Sequence, residues 1–319
     1  MNLYPLKFEP IYKQRIWGGC MLRDIFGRQT PEGERIGESW ELADLPGDKS
    51  VIANGELAGR TLASVLKEYP LQVAGREDYG PPFGLLVKFL DCGDILSVQV
   101  HPDAEACRRM GRGDPKTECW YIVAAEPEAA IYKGLKKGTT RRSFAEAIKA
   151  GIVEETLDRV EVKPGECHLL PAGTVHAIGS GLLIAEIQLP SDTTYRVFDW
   201  NRTAAAGKQR PLHIAEALES IKFDISAADL PVTRIGRLVD CGFFTVDKGH
   251  QAKGCELLMK SGEVKVLVFL NGMGRIEHSR GGSVPFAKGE TFLVPAAYEG
   301  ATVFTTEAEY LMVRGIRFR

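Results

Sequence analysis

Four residues carry side chains that together can hold a divalent cation: Gln99, His101, Glu118 and His176. They sit in three short stretches, SVQVHP (97–102), PKTECWY (115–121) and GECHLLPAGTVH (165–176). Two imidazoles and a carboxylate are ordinary zinc ligands, and a carboxamide oxygen is a weaker fourth. Such a set is open and catalytic in type rather than closed and structural. Fe²⁺, Mn²⁺ and Co²⁺ accept the same donors, so the donors alone do not name the metal. Each residue taken singly has a plainer reading, since a His at a strand end is more often structural or superficial than a ligand.

The elements that must position these groups are strands. Gln99 and His101 are two apart, so on a strand both leave the same face. Glu118 opens the apolar run CWYIV, which reads as the next strand. Cys119 would then point away from it, which keeps the thiol out of the ligand set. Gly165 and Pro171 bracket a third strand, and Gly173 turns the chain back so that His176 can begin a fourth. On inward faces of a small barrel the four donors would surround one cation and leave room for a substrate.

Several cations flank this set. Lys116 is two before Glu118, Arg196 lies in TTYRVFDW, and Arg202 is six further on. Lys88 interrupts the apolar strand PFGLLVKFLD (82–91), so its ammonium either snorkels to the surface or faces a polar cavity. Cations grouped near a metal suit a phosphate monoester. The plainer alternative pairs Arg196 and Arg202 with Asp192 or Asp199 at the surface. Trp17, before two glycines, fits either a sugar-binding wall or a core anchor.

GECHLLPAGTVH resembles the second cupin motif, and Gly93 followed by QVH resembles the first, with Gln99 where many cupins have His. Together with EIQLPSDTTYRVFDWNR (186–202), the chain resembles the type I mannose-6-phosphate isomerases in their short bacterial form. The resemblance covers most of residues 3–235, and SDTTYRVFDW is its most specific piece. It implies a cupin fold, one Zn²⁺ per chain on Gln99, His101, Glu118 and His176, and a sugar phosphate as substrate. It implies Arg196 as the active-site arginine, Glu186 as the general base and Lys116 as an aid to proton transfer. It gives Lys88, Arg202, Trp17 and Ser97 to substrate and phosphate binding. Two departures stand out. Ala104 occupies a position where longer members carry lysine, and only residues 138–158 are available for their large helical domain. Two rival classes share the fold: a cupin oxygenase with a redox metal, and a non-catalytic sugar-phosphate binder.

The 319 residues allow two domains. With 44% hydrophobic and 26% charged residues the composition is that of a globular protein, and a net charge of −2 gives no reason to expect nucleic acid. No apolar run is long enough to span a bilayer, and the first residues lack the apolar core of a signal peptide. Seven cysteines without a CxxC pair suggest reduced thiols and a cytoplasmic protein.

The pattern is mainly β, expected as two cupin-type jelly rolls with a small helical insertion. The expected domains are 1–235, carrying the metal, and 236–319, without ligands. Helices are expected at 21–26, at 57–69 with Pro70 as the stop, as two pieces joined near Gly151 within 138–158, and at 211–223. KGETFLVPAAYEG (288–300) repeats PGECHLLPAGTVH (164–176) at an offset of 124. Gly289 matches Gly165 and Pro295 matches Pro171, but Ala297 and Gly300 replace Gly173 and His176, and Lys265 stands near the place of Glu118.

Overall fold

The computed structural model describes residues 3–317 apart from 32, 203–209 and 280. The chain falls into two units, each built from separated stretches. One comprises Lys13–Glu38 and Phe89–Val232, the other Met1–Tyr12, Ser39–Lys88 and Thr233–Arg319. This division departs from consecutive blocks 1–235 and 236–319. The reason is β-pairing and backbone bonding that sequence order hides. Leu6 and Lys7 pair with Leu293 and Phe292, and the Ala296 amide donates to the Val73 carbonyl.

The unit that carries the candidate ligands is made of two antiparallel groups of strands. In one, Glu118–Ala125 runs between Cys167–Leu170 and Leu182–Gln188. In the other the order is Tyr195–Phe198, Val98–Val100, His176–Ile178, Ala130–Leu135, Leu157–Glu161. Trp120, Ile122 and Ile184 of the first group share one apolar cluster with Ile131 and Ile178 of the second. Burial of this alternate-residue face is the main force holding the two groups together.

Helices attach where local chemistry starts and stops them. Arg141–Ala150 begins with a capping box between Thr140 and Ser143 and ends on left-handed Gly151; a 3-10 turn, Val153–Thr156, follows. Met21–Phe26 and Ile214–Ser220 lie within the expected ranges. The 57–69 expectation is corrected: Leu62–Glu68 starts from the Thr61 cap, and Pro70 opens a further short helix, Pro70–Ala74, instead of only ending the first. Proline is well placed at a first helical position because its missing N–H would be unpaired there anyway. Ala104–Met110, capped by Asp103, was not legible, since seven residues reading AEACRRM show little apolar period.

The other unit repeats the strand plan in register. Thr291–Val294 lies 124 residues after Cys167–Leu170, and Gly300–Phe304 starts 124 after His176. Lys265 pairs with Val294 as Glu118 pairs with Leu170. Met259 pairs with Gly300 as Gln99 pairs with His176, and His278 takes the place of Lys133. The positions of Gln99, Glu118 and His176 are therefore held by Met259, Lys265 and Gly300, which do not make a metal site. The Lys265 ammonium instead donates to the carbonyls of Lys260 and Glu263.

Candidate metal centre and active site

Strand register builds the site. Arg196 lies opposite Gln99, Gln99 opposite His176, and His176 opposite Lys133. These four therefore line one face of four adjacent strands. In the other group, Gln188, Glu118 and Leu170 form one row, and Glu186, Trp120 and His168 form the next. His101 follows directly on its strand. Behind it the Gly173 amide donates to the His101 carbonyl, tying the two motif turns together.

One ligand atom each from His101, Glu118 and His176 lies within 4.8 Å of the others. His101 Nε2 is 3.3 Å from Glu118 Oε2, and His176 Nε2 is 3.5 Å from Oε1. The far nitrogens are fixed: His101 Nδ1 donates to the Thr193 carbonyl at 2.8 Å and His176 Nδ1 to the Thr174 carbonyl at 2.9 Å. With both protons on Nδ1, each Nε2 turns a bare lone pair inward. Both Nε2 atoms and Glu118 Oε1 are buried without a hydrogen bond. Buried polar atoms are almost always paired. One divalent cation at the centre would satisfy all of them, so the residues present fit a metal. Gln99, half-buried, is the cross-strand partner of His176.

The charge states agree with this. Burial pushes the His101 imidazole down to about 3, and the Lys116 charge adds to the effect. Burial likewise lowers His176. Both rings are thus neutral, the form that can hold a metal. Burial alone would raise the Glu118 carboxyl, but Lys116 and the two imidazoles outweigh it and hold it well below the usual carboxylate range. The buried Lys116 ammonium lies 2.8 Å from Glu118 Oε2. Burial would lower Lys116, and the Glu118 and Glu186 carboxylates reverse that into a net rise.

The remaining expected residues divide. Arg196 Nε donates to Ser97 Oγ at 3.1 Å and Nη1 to the Pro211 carbonyl at 3.0 Å. Among the described residues no carboxylate lies within salt-bridge distance of Arg196. Burial lowers its pKa, with Arg210 adding to the effect. Arg202 follows the plainer alternative: Nη2 binds Asp199 at 2.6 Å and Nη1 the Ile95 carbonyl at 2.6 Å. Glu186, almost fully buried, accepts from Trp120 Nε1 at 3.1 Å. Trp17 is a core residue, packed in the apolar cluster with Leu90 and Cys92. Lys88 belongs to the other unit, where its buried ammonium sits 4.8 Å from the centre of the Trp40 ring.

Sequence reasoning missed Trp120, Lys133, Thr174, Gln188 and Thr193. Trp120 was open to a parity argument, two residues after Glu118 on one strand. Lys133 and Gln188 reach the site only through register, as cross-strand partners of His176 and Glu118. The Thr residues act through backbone carbonyls, which carry no side-chain signature. Thr193 Oγ1 also accepts from the Asp114 amide, and Ser191 Oγ donates to the Asp114 carbonyl. The SDTT stretch thus braces His101 from behind.

Residues 5–144 match the family model described as phosphomannose isomerase type I, catalytic domain. The chain is 38% identical over 303 residues to the mannose-6-phosphate isomerase ManA of Bacillus subtilis, covering 92% of this chain and 94% of the relative. It is 36% identical over 283 residues to the mannose-6-phosphate isomerase of Streptococcus mutans, covering 85% and 86%. The crystal structure of the mannose 6-phosphate isomerase from Bacillus subtilis superposes with a TM-score of 0.86 at 30% identity, over 97% of this chain and 99% of that one. With this likeness over nearly its whole length and a His–Glu–His centre in place, the chain belongs to the type I phosphomannose isomerases, a metal-dependent family of cupin fold.

Proposed function

We propose that this chain interconverts mannose 6-phosphate and fructose 6-phosphate through a cis-enediol, using one Zn²⁺ per chain in the cytoplasm. The observation that carries the reading is the cluster of buried ligand atoms that His101, Glu118 and His176 turn toward one another, in the fold of that family. The absence of disulfides among seven cysteines supports the compartment. No helix among the described residues is long and apolar enough to cross a membrane.

His101, Glu118, His176 and Gln99 would hold the metal, which supplies Lewis-acid stabilisation of negative charge on the substrate oxygens. The protein's own groups do the proton chemistry. Glu186 takes the proton from C2 of the open-chain aldose. The C2–H electron pair becomes the C1=C2 bond, and the carbonyl pair moves to O1, which gains a proton. Return of a proton to C1 with loss of the O2 proton closes the ketone. Glu186, almost fully buried, accepts the proton from C2 and returns it to C1. Lys116, beside Glu118, supplies the proton to oxygen, and Arg196, held by Ser97 and Pro211, stabilises the enediolate charge. Arg202 is the cation assigned to phosphate, sharing its guanidinium with Asp199. Trp17 packs the core.

His176→Ala is expected to abolish tight binding of one metal equivalent, read by elemental analysis after gel filtration; a variant that keeps the equivalent would refute the ligand assignment. Arg196→Ala is expected to keep the metal and lose at least about a hundredfold in turnover, the scale of removing a donor to developing charge. Unchanged turnover would remove Arg196 from the mechanism.

A further inference from the structure

We infer that Trp120 is a positioning residue for the general base: its indole N–H fixes the Glu186 carboxylate relative to the metal-ligand His176. The inference rests on the reading of Glu186 as the base. Trp120 occupies the middle of a row across three strands, with Glu186 on one side and His168 on the other. Its Nε1 lies 3.1 Å from Glu186 Oε2. Indole nitrogen only donates, so the bond requires an accepting Glu186 oxygen.

The ring itself has no freedom to move. Trp120 is fully buried in the apolar cluster with Ile122, Leu170 and Ile184. The edge contact with the His176 imidazole has centroids 5.3 Å apart and planes at 82°. One rigid side chain therefore touches both the ring that would hold the metal and the carboxylate that would move the proton. A base must sit close to hydrogen-bond reach of the proton it takes, and small displacements are costly to rate. A buried glutamate has three side-chain torsions to restrain, and an N–H on an immobile ring is an effective restraint. Packing alone would call for an aromatic at this position. The N–H is the extra feature.

The test compares Trp120→Phe with Glu186→Gln in the metal-loaded enzyme. The readouts are metal content, kcat, KM for mannose 6-phosphate, and the isotope effect on kcat with substrate deuterated at C2. Trp120→Phe is expected to keep one metal equivalent and a near-normal KM, and to lower kcat about ten- to hundredfold. Its isotope effect should rise, because slower proton transfer becomes more fully rate-limiting. Loss of packing alone would not raise it. Glu186→Gln is expected to be nearly inactive with its metal retained. Replacement of Trp120 by β-(3-benzothienyl)alanine keeps the ring shape and removes only the N–H, so it covers the case in which the Phe variant folds poorly. An unchanged kcat and isotope effect in either well-folded Trp120 variant, with Glu186→Gln inactive, would overturn the role of Trp120 and leave the base in place. Metal loss in both Trp120 variants would also overturn it, assigning the ring to packing. An active Glu186→Gln would overturn the base assignment itself.

Discussion

Lys116 shows how closely charge is balanced at single residues in this site. Its buried ammonium offsets the burial cost of Glu118 and itself stays protonated because Glu118 and Glu186 lie near. Lys116→Met would leave the Glu118 carboxylate without that cation, so its pKa would rise. Metal binding is expected to become more sensitive to acid, with half-loss at a higher pH than in the parent, followed by metal content after dialysis across pH 4–7. An unchanged acid profile would show that Lys116 does not govern Glu118. The candidate ligands and this lysine could be singled out because their chemistry is concentrated in short spacings: Gln99 to His101, Lys116 to Glu118, Gly165 to His176. Trp120, Lys133 and Gln188 were less so. They depend on which strand lies beside which, and on register that single-strand periodicity does not carry. Trp17 illustrates the opposite case. Its residue type suits a sugar, yet it packs in the core.

At the scale of elements, turns and caps fix where the functional strands begin. Gly173 adopts φ +92°, and a Cβ there would lie 3.1 Å from the Ser220 carbonyl and closer still to the Lys222 side chain. Gly173→Ala should therefore cost about 1–2 kcal/mol for the left-handed backbone alone. It should also weaken metal binding, since His176 is three residues on; urea unfolding and metal titration read the two effects. Asp91 is a second case. Its Oδ2 accepts from the Leu22 amide at 2.8 Å, serving the start of the Met21–Phe26 helix, and Gly19 is needed because a Cβ would meet Oδ1 at 2.0 Å. Burial pushes the Asp91 carboxyl up to about 6. The folded chain thus binds a proton that the unfolded chain releases near pH 3.9, so this group's contribution falls as pH rises from about 4 to 6. Asp91→Asn keeps an acceptor and removes the charge. It should raise the melting temperature by roughly 2–6 °C at pH 8, with the gap closing towards pH 4. A gap that is constant with pH would place the effect elsewhere. Strong periods made the strands readable, while short polar helices such as Ala104–Met110 gave no such signal.

For the whole molecule, one strand plan appears twice and only one copy keeps the candidate ligands. The repeat was visible because turn residues, Gly289 and Pro295, survive where side-chain chemistry has changed. The grouping of residues before 13 and of 39–88 with the C-terminal stretch was not visible, because an edge pairing such as Leu6 with Leu293 leaves no mark in local sequence. In the copy without ligands, Lys265→Met would strip the Lys260 and Glu263 carbonyls of a donor. The expected cost is about 1–3 kcal/mol in stability, with metal stoichiometry still one per chain. A drop in metal content would mean that this copy also binds an ion. The most direct measurement on the molecule as a whole is fructose 6-phosphate formation from mannose 6-phosphate in a coupled assay, before chelation, after it, and after Zn²⁺ is restored. Turnover is expected to disappear with the chelator and return with zinc. A folded, metal-loaded sample that forms no fructose 6-phosphate would contradict the isomerase assignment.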